Sequence, residues 1–141
     1  MGLFVTVFTL FSHVVMVTQS KEFQFDVTWQ IRSPDCVERA VTAINGRFPG
    51  PTIRVKPGEQ VEVKVVNHLA SDSLTIHWHG QRQYDNVWHD GIGMISNCPI
   101  PPHSSFIYKF KANEAPGTYF YHGHLGGIRA AGKREKNIFI F

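Results

Sequence analysis

Apolar and polar residues alternate with a period of two along much of the chain. Phe23, Phe25, Val27, Trp29 and Ile31 are interleaved with Gln24, Asp26, Thr28 and Gln30, which predicts a strand with one face buried. Ser33-Pro34-Asp35 ends it, and the stretch from Ala43 through Asn45-Gly46 and Pro49-Gly50-Pro51 is dense in turn signals, which predicts a loop without a helix. Thr52 to Val55 resumes as a short strand. Pro57-Gly58 turns the chain again, and Val61, Val63 and Val65 alternate with Glu62 and Lys64, so these two runs predict a hairpin. Leu74 to His79 is a further strand, followed by an irregular loop from Gly80 to about Pro102 that is too long to serve only as a connection. Phe106, Tyr108 and Phe110 alternate with Ile107 and Lys109, Ala115-Pro116-Gly117 turns, and Thr118 to His122 returns as a strand. Asn137 to Phe141, after the charge run Lys133 to Lys136, reads either as a closing strand or as a tail unrelated to the fold. Short strands, regularly spaced turns and no helical period predict an all-β, antiparallel Greek-key β-sandwich.

Length and composition narrow this picture. At 141 residues, with 43% hydrophobic and 13% aromatic content, the chain suits one domain with a real core. The net charge of +3 is mild, and no basic stripe interleaved with aromatics points to nucleic acid. No phosphate loop, nucleophile elbow or dinucleotide fingerprint is present. Leu3 to Val17 is apolar apart from Thr6, Thr9, Ser12 and His13, and is followed by Thr18-Gln19-Ser20; it reads as a secretory signal cleaved near Ser20, although it lacks a basic leading segment. A membrane anchor needs about 20 apolar residues, so the expectation is a signal peptide over 1–20, a secreted domain over 21–141 and no membrane span. Two cysteines, Cys36 and Cys98, then remain, and an oxidising compartment invites a disulfide, with their pairing open at this point.

The candidate chemistry lies in two His-X-His triplets, His77-Trp78-His79 and His122-Gly123-His124. On a strand, alternate residues share a face about 6.6 to 7 Å apart, whereas an imidazole nitrogen binds a metal at about 2.0 Å. One triplet can therefore converge on one ion or serve two adjacent ions, and two triplets on neighbouring strands would gather four imidazoles. Imidazole suits copper, zinc, iron or nickel, and copper(II) binds tightest of these. A zinc hydrolase with three histidines and an open position is the competing chemistry.

With both triplets in place, the sequence resembles the first plastocyanin-like (cupredoxin) domain of a multicopper oxidase, most of all ascorbate oxidases and laccases. The resemblance rests on five segments in order: Asn45 to Ile53, His77-Trp78-His79-Gly80, Trp88-His89-Asp90-Gly91, Asn97-Cys98-Pro99-Ile100, and Gly117 to Gly126. It implies a cupredoxin-like sandwich in which these histidines supply half the ligands of a trinuclear copper cluster that reduces dioxygen to water. His77 matches the type 2 copper ligand, His79 and His122 match ligands of one type 3 copper, and His124 matches a ligand of the other. Asp90 matches a carboxylate beside the cluster that helps supply protons, which makes it the candidate catalytic residue; the plainer reading is an Asp-Gly turn. Trp78 and Trp88 are assigned to packing around the site, and His13, His68, His89 and His103 match no ligand. Cys36 and Cys98 match cysteines that bridge to later cupredoxin domains, which speaks against their pairing with each other.

The same resemblance marks what this chain lacks. The family's type 1 copper uses a cysteine flanked by histidines, and neither cysteine here is so flanked. After His124-Leu125-Gly126, Lys133-Arg134-Glu135-Lys136 stands where the family has a Leu-Tyr-Gly stretch. The expectation is a copper-binding domain of a secreted oxidase of diphenols or ascorbate, with dioxygen, a small reductant and further cupredoxin domains as partners. The alternative is a truncated, non-catalytic secreted copper-binding protein.

Overall fold

A computed structural model describes residues 20–126 and 137–140, the last four as backbone. Among the described residues, eight strands form two four-stranded sheets. The first sheet has the order β2 (Arg39–Ile44), β1 (Lys21–Arg32), β4 (Gln60–Asn67), β6 (Ser105–Lys111). The second has the order β3 (Ile53–Arg54), β8 (Asn137–Ile140), β7 (Thr118–Gly123), β5 (Ile76–His79). The β-sandwich expected from the alternation is therefore present, in the cupredoxin-like form that the resemblance implies.

The alternation explains the core. Phe25, Val63, Tyr108 and Phe110 project inward from the first sheet and meet Ile53, Ile76, Trp78 and Tyr121 from the second, all of them buried. Trp78 is the pivot, its ring centroid 5.0 Å from Phe110 and 5.4 Å from Tyr108, while Phe25 lies 5.1 Å from Tyr121. Such tilted and edge-on aromatic pairs each add about 0.5–1.5 kcal/mol beyond the area they bury. Tyr108 also ties the layers by a polar contact, its hydroxyl oxygen accepting a hydrogen bond from the Ile76 N–H at 3.0 Å. Burial pushes the Tyr108 phenol up to about 12.

Several local expectations change on folding. β3 and β4 do not form the expected hairpin, because they lie in different sheets and Pro57-Gly58 is a corner between layers. Two pairings, β1 with β4 and β3 with β8, are parallel, against four antiparallel ones. β2 was not expected and runs into the start of the expected loop at Ala43 and Ile44; its last four residues, Val41 to Ile44, are all buried, so its sequence carries no period of two. Asn137–Ile140 is a strand, seated between β7 and β3. Residues 1–19 of the signal expected over 1–20, and the charge run Lys133 to Lys136, lie outside the described residues. Among the described residues no helix is long and apolar enough to cross a membrane.

Candidate metal centre

The site grows from the pairing of β5 with β7. Their antiparallel register sets His77 opposite His122, Trp78 opposite Tyr121 and His79 opposite Phe120. Because successive side chains alternate faces, Trp78 and Tyr121 enter the core while His77, His79, Phe120 and His122 share the other face. His124 lies just beyond β7, where its backbone N–H donates to the Thr75 carbonyl at 3.1 Å and carries the ladder one step further.

The four imidazoles converge as the two triplets predict. The ring of His77 lies 5.5 Å from His79, 5.3 Å from His122 and 5.4 Å from His124, centroid to centroid. His122 and His124 are 5.5 Å apart. One ring nitrogen from each of His77, His79 and His122 falls within 4.8 Å of the others. Two nitrogens bound to one ion at roughly 2.0 Å lie at most about 4 Å apart, so this spacing suits two adjacent ions, or one ion once the rings draw together.

Carbonyl oxygens orient two of these rings. Nδ1 of His77 lies 2.8 Å from the Asp90 carbonyl and Nδ1 of His122 lies 2.9 Å from the Gly123 carbonyl. A carbonyl only accepts, so both Nδ1 atoms carry the proton and both Nε2 atoms keep their lone pair for a metal. Burial lowers the pKa of both imidazoles below the usual histidine value. The Asp90 carbonyl and carboxylate oppose this at His77, and the Gly123 carbonyl opposes it at His122. Neighbouring histidines add to the lowering, so the pair is held neutral, the form that ligates.

Asp90 reaches the site through its backbone first. It follows a single 3-10 turn, Val87–His89, and its carbonyl accepts from both His77 Nδ1 and, at 3.3 Å, the Trp78 N–H. Its carboxylate Oδ1 is 3.5 Å from His77 Nδ1. Gly91 makes this approach possible, since a Cβ there would sit 1.7 Å from the Ile76 carbonyl oxygen and its φ is +84°.

Trp88 departs from expectation. It is 67% exposed, whereas Trp78 is fully buried. His89 is structural, its Nδ1 accepting the Lys109 N–H at 2.9 Å and its ring lying 5.4 Å from Phe106. His68 pairs with Asp26 at the surface, and His103 is exposed. Sequence reading passed over Phe120, although two-residue alternation from His122 places it on the metal face. Cys36 and Cys98 are both free and exposed, so they form no internal disulfide.

A two-layer strand sandwich bearing a cluster of imidazoles on one paired-strand face is a cupredoxin-like metal-binding domain. A family model described as multicopper oxidase matches residues 26–136, and the chain belongs to that family. It is 49% identical over 121 residues to an L-ascorbate oxidase of Nicotiana tabacum, covering 86% of this chain and 21% of that protein. It is 50% identical over 112 residues to an L-ascorbate oxidase of Cucumis sativus, covering 79% and 19%. A crystal structure of a laccase from Botrytis aclada superposes with a TM-score of 0.78 at 31% identity, over 88% of this chain and 23% of that one. The chain thus spans about a fifth of the length of the curated relatives it matches. It is a multicopper oxidase domain homologous to ascorbate oxidase and laccase, and the family implies copper.

Proposed function

We propose that residues 21–141 are the copper-binding first domain of a secreted oxidase, supplying half the ligands of a trinuclear copper cluster. In this reading His77 serves the type 2 copper, His79 and His122 share one type 3 copper, and His124 serves the other. The observation that carries it is the convergence of four imidazoles, three with ligand atoms within 4.8 Å of one another. Copper held by these four histidines, with ligands from a later domain, would relay to dioxygen the electrons of a small reductant, such as ascorbate or a diphenol, oxidised elsewhere in the complete protein.

The chain's own groups prepare that chemistry. The Asp90 and Gly123 carbonyls fix the ligand tautomers of His77 and His122. The Asp90 carboxylate, 3.5 Å from His77 Nδ1, is the acid/base group of this reading, since dioxygen reduction consumes protons. The exposed thiols of Cys36 and Cys98 suit bridges to further cupredoxin domains. Residues 1–20 act as the secretory signal.

Copper reconstitution of the full chain tests the reading. The expected product binds copper without an intense blue band, and His77→Ala or His122→Ala loses most of the metal. An intense thiolate-to-copper absorption, or uptake of zinc in preference to copper, would overturn it. A second reading is a non-catalytic secreted copper-binding protein. Oxygen consumption with ascorbate, measured on this chain alone and then with its later domains supplied, separates the two.

A further inference from the structure

The hydrogen bonds that orient the metal-facing imidazoles reach only some of them. Nδ1 of His77 and of His122 each donates to a carbonyl, but among the described residues no hydrogen bond engages the ring of His79. Instead the His79 ring lies nearly parallel to Phe120, with centroids 4.1 Å apart and planes 19° from parallel. Phe120 also stacks on His122 at 5.4 Å and 23°. Phe120 is held opposite His79 by the β5–β7 register and two residues before His122 on the same face. Because the His79 and His122 rings are themselves 6.1 Å apart, the flat apolar ring stands beside the two imidazoles assigned above to one copper, at the third corner of a triangle, and stacks most closely on His79.

We propose that Phe120 is a positioning residue for that pair, setting the ring plane of His79 as a carbonyl sets that of His77. Stacking suits this position because it orients an imidazole without competing for either ring nitrogen, so both remain available to metal and solvent. It also restricts His79, which is otherwise exposed, so that less freedom is lost when the ring ligates. The inference rests on the metal-site reading above, and its experiment separates the two.

The full chain is titrated with copper(II) against a competing chelator, and the copper(II) electron paramagnetic resonance spectrum is recorded, for wild type, Phe120→Leu, Phe120→Trp and His79→Ala. Leucine keeps an apolar side chain on the face without a flat ring; tryptophan keeps the flat ring. Loss of an outer-shell partner commonly costs 10- to 100-fold in metal affinity. The expected result is about tenfold weaker binding and an altered spectrum for Phe120→Leu, with Phe120→Trp restoring both and thermal unfolding little changed in either. A Phe120→Leu chain that binds copper with wild-type affinity and spectrum, or equal losses in the Leu and Trp variants, would overturn the positioning role. If His79→Ala also binds and resonates like wild type, the metal-site reading itself fails and the positioning role with it.

Discussion

His77 and His122 face each other directly across the β5–β7 pair, their ring centroids 5.3 Å apart and each Nδ1 tied to a backbone carbonyl. Strand register brings residues 45 positions apart in the chain to this distance and backbone polarity aims their free nitrogens. Replacing His122 with Ala should weaken copper binding by more than the roughly tenfold of an outer-shell loss, with little effect on folding since the ring is only half-buried. Isothermal titration with copper(II) checks it, and unaltered affinity would contradict the site.

The lowered pKa values of His77 and His122 make the metal-free domain sensitive to acid. Both folded values lie below the unfolded value of about 6.5. In mildly acid solution the unfolded chain therefore binds more protons, and stability rises with pH up to the unfolded value. Conversely, stability is lost progressively as pH falls from about 6.5 toward the folded values. Urea unfolding at pH 7.5 and 5.5 should show this loss, and replacing both histidines with Phe should reduce it.

Gly91→Ala should damage stability and metal binding together. The left-handed backbone alone costs about 1–2 kcal/mol for a residue with a Cβ, and the added carbon would also meet the Ile76 carbonyl at 1.7 Å. Pushing the loop away releases the Asp90 carbonyl from His77 Nδ1 and from the Trp78 N–H. Urea midpoints and copper titration of the variant read the two effects. Full copper affinity in a folded Gly91→Ala chain would show that His77 does not need this carbonyl.

Tyr108→Phe should cost about 1–3 kcal/mol, because it leaves the buried Ile76 N–H without its acceptor. The same variant should remove the phenolate absorbance that wild type gains near pH 12. Ultraviolet titration of the two chains, subtracted one from the other, isolates that transition; a difference already complete near pH 10 would contradict the burial of this phenol.

Because Cys36 and Cys98 are free and exposed, a thiol reagent should label two sites per native chain without denaturant. An internal disulfide would leave neither reactive.

What was legible in the sequence is what depends on neighbours along the chain. Alternation marked β1, β4, β6 and β7, because each buries one face, and the spacing of His77 with His79 and of His122 with His124 placed each pair on one side of its strand. β2 escaped because its inner end buries consecutive residues and so shows no period. Partnership between distant strands was beyond local pattern: Pro57-Gly58 signals a turn equally well for a hairpin or for a corner between layers, and only packing sends β3 to one sheet and β4 to the other. Tertiary structure likewise decided that the Asp90 carbonyl and the Phe120 ring orient His77 and His79, while His122 leans on the carbonyl of its own neighbour Gly123. Residue types and spacings along one strand determined that imidazoles would share a face; how the rings of His77 and His79 are aimed depends on the loop at Asp90 and on β7, which local pattern does not pair with β5 and folding does.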